Sequence, residues 1–148
     1  KRIAVLVAFM PMLADNSGNI GSQSSAIVIR SLVTGEISLN KHDILMVLAK
    51  EFLTVLFMLA VLLPVGFAIS FSVTYLALRE ASVAVRVALA VSLALATSCY
   101  ISDTIGSLLP VLLAKLRVDP TTASAPLITT IADITTVTVY FTIATLLL

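Results

Sequence analysis

The sequence predicts an all-α integral membrane protein, a helical bundle of four membrane segments, and three observations lead to this fold class. Apolar residues make up 59% of the 148-residue chain and charged residues only 11%, which gives a mean hydropathy of +1.13. Soluble domains contain about 45–50% apolar and about 25% charged residues. A chain of this size has no interior large enough to bury the excess, so we expect the apolar side chains to face lipid. The apolar runs are long and lack a period of two, which excludes a membrane β-barrel.

Four apolar stretches each contain the roughly 20 residues that a helix needs to cross a bilayer. They run from Ile3 to Val33, from Ile44 to Leu78, from Val87 to Ala114, and from Pro120 or Pro126 to Leu148. The predicted connections are Gly35–Asp43, Arg79–Arg86 and Lys115–Ala125. None is long enough for a folded extramembrane domain. We therefore expect residues 1–148 to form a single transmembrane domain without a soluble regulatory domain, in a multi-pass protein of the plasma (inner) membrane.

Charge and cysteine content exclude several other functions. Nine Lys and Arg residues against eight Asp and Glu residues leave a net charge of +1, which offers no basic surface for nucleic acid. The single cysteine, Cys99, cannot form a disulfide within the chain, and with the single histidine, His42, it cannot complete a zinc or copper site. Any metal ion bound here is expected to be a hard cation with oxygen ligands, and no organic cofactor is expected.

Residues 15–25 interrupt the first apolar segment, since ten of these eleven residues are polar or glycine. The flanks Ile3–Ala14 and Ala26–Val33 would be helices of about 18 and 12 Å, too short to cross a bilayer separately. We therefore expect the polar stretch to lie at membrane depth, inside protein, along a water-filled path or at the end of a re-entrant loop. The alternative is an extramembrane turn between two short helices.

Three residues of this stretch have the chemistry of an ion path. Gly18 allows another backbone or a hydrated ion to approach closely. Asn19 and Gln23 are four residues apart, so they share a helical face and can offer amide oxygens to the hydration shell of an ion.

Asp133 lies far from both predicted ends of the fourth segment, where a lone charge costs roughly 2.5–3.5 kcal/mol on insertion scales. Such residues usually face the interior of a bundle and mark the path of an ion or proton. Thr129 and Thr136, one turn to either side, place hydroxyls on the same predicted stripe. This arrangement suits a hydrated cation, and Mg²⁺ loses its waters more reluctantly than Ca²⁺. The alternative is a protonated acid that is hydrogen-bonded to a neighbouring helix.

Asp103 is a second acid inside a predicted membrane segment. It precedes Lys115 by about 18 Å along a helix, so it can lie at a depth similar to that of Asp133. Asp103 is a further candidate for cation binding, and the alternative is a buried contact between helices. The pair Lys50 and Glu51 is interpreted as interfacial, with the lysine reaching toward water.

The acids do not indicate an enzyme. Intramembrane aspartyl proteases carry Gly-x-Gly-Asp at one catalytic acid, whereas the sequence here reads Tyr-Ile-Ser-Asp at Asp103 and Thr-Ile-Ala-Asp at Asp133. The only histidine, His42, lies in a charged loop and is expected to be solvated, so no Ser–His pairing is available.

Three stretches of the sequence follow one another in a distinctive order. They are Phe9-Met10-Pro11 with Gly18-Asn19-Ile20-Gly21-Ser22-Gln23 and Arg30, then Gly106–Pro110 with Leu116–Pro120, and finally Pro126–Asp133. Together they resemble the membrane domain of the MgtE family of magnesium channels and transporters, almost from end to end of the chain.

This resemblance implies a homodimer with the ion path along its two-fold axis, in which the four segments match the last four of the family's five helices. It implies that Asp133 binds a hydrated magnesium ion and that the carbonyl of Thr129 is a further acceptor for its waters. The stretch Gly18–Gln23 is implied to line the same path. The family's first helix and cytoplasmic sensor domains have no counterpart in the sequence, and Asp103 stands where bacterial relatives more often carry a neutral residue.

The sequence therefore predicts a channel or transporter for divalent cations, with Mg²⁺ as the ion, that acts as a homodimer in the lipid bilayer. The candidate metal-site residues are Asp133, Thr129, Asn19, Gly18, Gln23 and Asp103. Two alternatives remain: a proton- or sodium-coupled carrier that uses the two acids as relays, and a non-conducting membrane subunit whose polar residues hold helices together.

Overall fold

The computed structural model of the chain describes the backbone of residues 2–148 and the side chains of residues 4–121 and 125–148. The elements are α1 (Arg2–Ala8), α2 (Met10–Val33), α3 (Lys41–Leu78), α4 (Ala81–Lys115) and α5 (Pro120–Leu147). No strand occurs in the described backbone, and α1 and α2 together make up the first predicted segment. The all-α bundle of four segments is therefore confirmed.

The first segment bends at Phe9, between α1 and α2, because Pro11 has no N–H to continue the helical hydrogen bonds. The Phe9 N–H donates instead to the carbonyl of Leu6 in a tighter turn, at 3.2 Å. The hydroxyl of Tyr140, on α5, donates to the same carbonyl at 3.0 Å. This contact ties the end of α5 to the beginning of the chain's first segment.

Helix α4 lies at the centre of the bundle and packs against α2, α3 and α5, while α5 also packs against α2. Its buried face consists largely of small residues, which allow the neighbouring helices to come close. Helix α3 contacts α4 along one face and leaves a broad apolar surface exposed, including Phe57, Val61 and Leu76. The outer face of a helix in a soluble protein is polar, whereas the outer face of α3 is apolar.

Three helical ranges are long and apolar enough to cross a membrane: Lys41–Leu78, Ala81–Lys115 and Ala125–Leu147. Helix α2 has sufficient length, but its middle is polar. Residues 15–25 are helical throughout, so the re-entrant loop and the extramembrane turn that the sequence left open are both wrong.

The predicted connection Arg79–Arg86 is also wrong, since only Arg79 and Glu80 separate α3 from α4. Arg79 ends α3 in the left-handed region, with φ of 59°. Ala84 and Val87 are buried, and their packing extends α4 through the polar residues that suggested a loop.

Gly21 and Gly106 bring the backbones of α2 and α4 into direct contact. A Cβ on Gly106 would lie 2.9 Å from the carbonyl carbon of Gly21. A Cβ on Gly21 would lie 2.8 Å from Cγ2 of Ile128 and 2.9 Å from the carbonyl oxygen of Ser102. At this crossing α2, α4 and α5 meet with no room for a side chain.

Replacing Gly106 with alanine should force α2 and α4 apart and lower the free energy of unfolding by about 1–3 kcal/mol, the usual cost of overpacking. Thermal unfolding of the purified protein in detergent measures this loss. Gly66→Ala is the matched control, because a Cβ on Gly66 would lie at an ordinary 3.5 Å from Cδ2 of Leu95. Equal stability of the two variants would contradict the proposed constraint.

Candidate functional site

One half of the polar stretch on α2 faces the interior of the bundle. The buried residues in this half are Ser17, Gly18, Gly21, Ser24 and Ser25. The Ser17 hydroxyl lies 2.6 Å from that of Thr136 on α5, and the Ser24 hydroxyl donates to Asp103 on α4 at 2.5 Å. The Ser17 and Ser24 hydroxyls thus join α2 to its neighbours, whereas the Ser25 hydroxyl is buried without a hydrogen-bond partner among the described residues.

The other half of the stretch is exposed. Asp15, Asn19 and Gln23 follow one another at intervals of four, so they form one stripe along α2. Asn19 and Gln23 also line a cleft of about 400 Å³ between α2 and α3. The α3 wall of this cleft consists of Met58, Val61 and Leu62. The stripe therefore places polar side chains on a membrane helix where packing within one chain does not cover them.

Asp133 and Thr129 are both exposed on α5. Among the residues whose side chains are described, none forms a hydrogen bond or ion pair with Asp133. The Thr129 hydroxyl donates to the carbonyl of Ala125 at 3.0 Å, and its oxygen can still accept hydrogen bonds. Thr136 is buried, so the predicted stripe is divided between an exposed part and a part that packs against Ser17.

The exposed Thr129 on α5 adjoins the buried Gly18 of α2. A Cβ on Gly18 would lie 3.7 Å from Cγ2 of Thr129, so these two predicted site residues are neighbours. Asn19 follows Gly18 and turns toward the exposed side of α2, away from the packing face. The structure thus brings Gly18 and Thr129 together and leaves Asn19, Gln23 and Asp133 on open surface.

Asp103 lies elsewhere, in the interior of the bundle, with only 3% of its surface exposed. Its carboxylate accepts the hydrogen bond from Ser24, which corresponds to the buried helix contact that the sequence left open as an alternative. Glu51, on α3, lies beside the same Ser24 hydroxyl and interacts electrostatically with Asp103. The interfacial interpretation of Glu51 is wrong, because this side chain is only 6% exposed.

The sequence does indicate that Glu51 is buried, through a pattern of residues on α3 that the interfacial interpretation did not use. Small or polar residues recur on the apolar helix α3 at Gly66, Ser70 and Thr74, at intervals of four, and all three are buried. Extending this packing face back along the helix, through Leu59 and Val55, reaches Glu51.

The described side chains contain no group of three or more His, Cys, Asp or Glu residues that could hold a metal ion. The exposed acceptors include the Asp133 carboxylate and the Thr129 hydroxyl on α5, and on α2 the Asp15 carboxylate with the amides of Asn19 and Gln23. Such dispersed oxygen atoms suit an ion that keeps its water shell, since each of them can accept a hydrogen bond from a bound water.

Comparison with known proteins finds one matching family model and several similar proteins. A family model described as MgtE, divalent cation transporter, matches residues 10–143. The chain is 35% identical to a magnesium transporter MgtE of Bacillus subtilis over 98% of its length, and 32% identical to one of Thermus thermophilus over 99%. A magnesium transporter MgtE of Enterococcus faecalis is 30% identical over 97% of the chain. The chain spans only 29–30% of the length of these curated relatives.

Replacing Ser24 with alanine should lower the free energy of unfolding by about 1–3 kcal/mol, because Asp103 then loses a donor in a buried environment. Unfolding in mixed detergent micelles measures the effect. Ser70→Ala is the matched control, since the buried Ser70 hydroxyl donates to the Gly66 carbonyl of its own helix at 2.6 Å and joins no other helix. A Ser24 variant as stable as the control would show that the link between α2 and α4 contributes nothing.

Proposed function

The chain belongs to the MgtE family, and from this premise we propose that it moves magnesium ions across the membrane, each still hydrated, along a path lined by the exposed polar faces of α2 and α5. The description of the family as divalent cation transporters agrees with the prediction that the chain is not an enzyme. With three helices able to cross a bilayer, the chain is an integral multi-pass membrane protein.

The exposure of Asp133 is the observation that carries this proposal. The residue lies 13 positions after Pro120 and eight after Ala125, where the apolar span begins, so it is about 12–20 Å into the membrane. A carboxylate that faced lipid at this depth would cost several kcal/mol, so water, a cation or a polar partner must cover it. Thr129 and the amides of Asn19 and Gln23 favour water and a cation, since all of them can hydrogen-bond to a hydration shell.

A second copy of the chain would enclose this surface. Two copies related by a two-fold axis along the exposed faces would place two Asp133 carboxylates opposite one ion, and their charges would balance that of Mg²⁺. Thr129 would add acceptors for the waters, and Gly18, buried beside it, brings no side chain between α2 and α5. Mg²⁺ fits such a site better than Ca²⁺, because it dehydrates reluctantly and usually keeps several waters.

Asp103 has no part in the proposed ion path. It is bonded to Ser24 inside one chain, on the packing side of α2, whereas Asn19 and Gln23 point to the opposite side. A carrier that relays protons between Asp103 and Asp133 would need a polar route through the bundle. A non-conducting subunit would be favoured by an Asp133 packed against a neighbouring helix, but the residue is exposed.

Asp133→Asn should reduce the Mg²⁺ flux into proteoliposomes roughly 10–100-fold. This is the usual effect of weakening a group that acts on a metal ion through the ligands bound to it, here its waters. Asp133→Ala should be at least as severe. A fluorescent magnesium indicator trapped in the liposomes follows the flux. Glu36→Gln is the control, because Glu36 is an exposed acid in the connection between α2 and α3 and should leave the flux unchanged. Wild-type flux through the Asp133→Ala protein would refute the proposal.

Cysteine labelling tests whether the exposed face contacts water or lipid. In a Cys99→Ala background, Thr129→Cys should react with a charged thiosulfonate reagent, and Mg²⁺ should slow the reaction. Thr136→Cys should not react, because Thr136 is buried against Ser17. If Thr129→Cys reacts only with a lipid-soluble maleimide, the face borders the bilayer and the proposed ion path is wrong.

A further inference from the structure

Two acids that the proposed ion path does not use meet inside the bundle. Asp103 and Glu51 are 3% and 6% exposed, come from the adjacent helices α4 and α3, and lie beside the same Ser24 hydroxyl of α2. Glu51 is ten residues from the start of α3, and Asp103 is twelve residues from the end of α4. Both are therefore about 15–18 Å from helix ends on the same side of the bundle, deep within the hydrocarbon region.

No cation neutralises this pair among the described side chains. The ion pair that the described side chains do contain lies away from the two acids and joins His42 to Asp43 in the exposed first turn of α3. Lys50 is adjacent to Glu51 in sequence but exposed, and so are Arg30 on α2 and Lys115 on α4. The buried thiol of Cys99, one turn before Asp103, brings no positive charge. On α5, Asp133 is exposed and Tyr140 donates to Leu6.

Two ionised carboxylates cannot remain side by side in such an environment. Each loses its hydration when it is buried, and at close range each opposes the ionisation of the other. One proton removes both difficulties, because it neutralises one of the two groups. A protonated Glu51 can then donate to the Ser24 hydroxyl while that hydroxyl donates to ionised Asp103. The three side chains then form one hydrogen-bonded unit that spans three helices.

We propose that Glu51 and Asp103 share one exchangeable proton and that this proton stabilises the packing of α3 against α2 and α4. Helix α3 has few other polar contacts to its neighbours, since the Ser70 hydroxyl is bonded within its own helix and the Thr74 hydroxyl is buried without a partner among the described residues. Loss of the proton leaves two negative charges between α3 and α4, so the attachment weakens as the pH rises. This inference does not depend on the identity of the transported ion.

The first test compares unfolding temperatures of the purified protein in detergent from about pH 5 to pH 9. The wild-type temperature should fall by several degrees as the pH rises and the shared proton is lost. Glu51→Gln and Asp103→Asn should each remove most of this dependence, because only one acid then remains and a second negative charge cannot form at any pH. Glu36→Gln, a change at an exposed acid, should retain the wild-type profile. An identical pH dependence in the wild type and both pair variants, or a flat wild-type profile, would overturn the proposal.

Infrared spectroscopy provides a second readout that does not require stable variants. At neutral pH the wild-type protein should show the carbonyl stretch of one protonated carboxyl group, and this band should disappear over the pH range in which the unfolding temperature falls. Where the variants fold, Glu51→Gln and Asp103→Asn should both lack the band. The absence of the band from the wild type at neutral pH would show that both acids are ionised, because a cation neutralises them or because they lie too far apart to need a proton. Either result would refute the inference. A failure of the flux experiment on Asp133 would leave this result unaffected.

Discussion

The contact between the backbones of Gly21 and Gly106 determines how closely α2 and α4 can approach, and the positions of the polar residues follow from it. At this distance the Ser24 hydroxyl reaches Asp103 on one side of the crossing. On the other side, α5 fits against both helices with Ile128 at the crossing and Ser17 bonded to Thr136. Because these contacts occupy the packing face of α2, Asn19 and Gln23 on the opposite side of the helix point outward. The separation of structural from exposed polar residues is thus a consequence of helix geometry.

The polar stretch of α2 performs two tasks at once, because an α-helix distributes neighbouring residues around its circumference. Serine and glycine supply the close, hydrogen-bonded contacts that hold membrane helices together where the hydrophobic effect contributes little. Aspartate, asparagine and glutamine occupy the opposite side, and no contact inside a single chain requires them there. On α5 the division runs along the helix instead. Thr129 and Thr136 are seven residues, or about two turns, apart on one face, and only Thr136 is buried.

Much of the fold can be predicted from the sequence, because long apolar runs indicate membrane helices. Polar side chains within such runs indicate the candidate site, whose residues stay a prediction. The errors have a common origin. Polar residues suggest a loop or turn as an alternative at 15–25, a loop at Arg79–Arg86 and an interface at Glu51. Packing against other helices instead keeps residues 15–25, residues 81–86 and Glu51 within helices. Which partner covers a polar residue depends on tertiary contacts such as Ser24 with Asp103, and a single sequence gives no direct measure of them.

The order of the helices along the chain has a consequence for biosynthesis. Helix α2 is made before α4 and α5, the two helices that satisfy its serines, so it leaves the ribosome while its partners do not yet exist. Helices α3 and α4, joined by only two residues, suit insertion together as a hairpin, which would bury Glu51 and Asp103 against each other from the outset. Among α2 to α5, the least apolar helix is therefore made before the helices that pack against its polar residues.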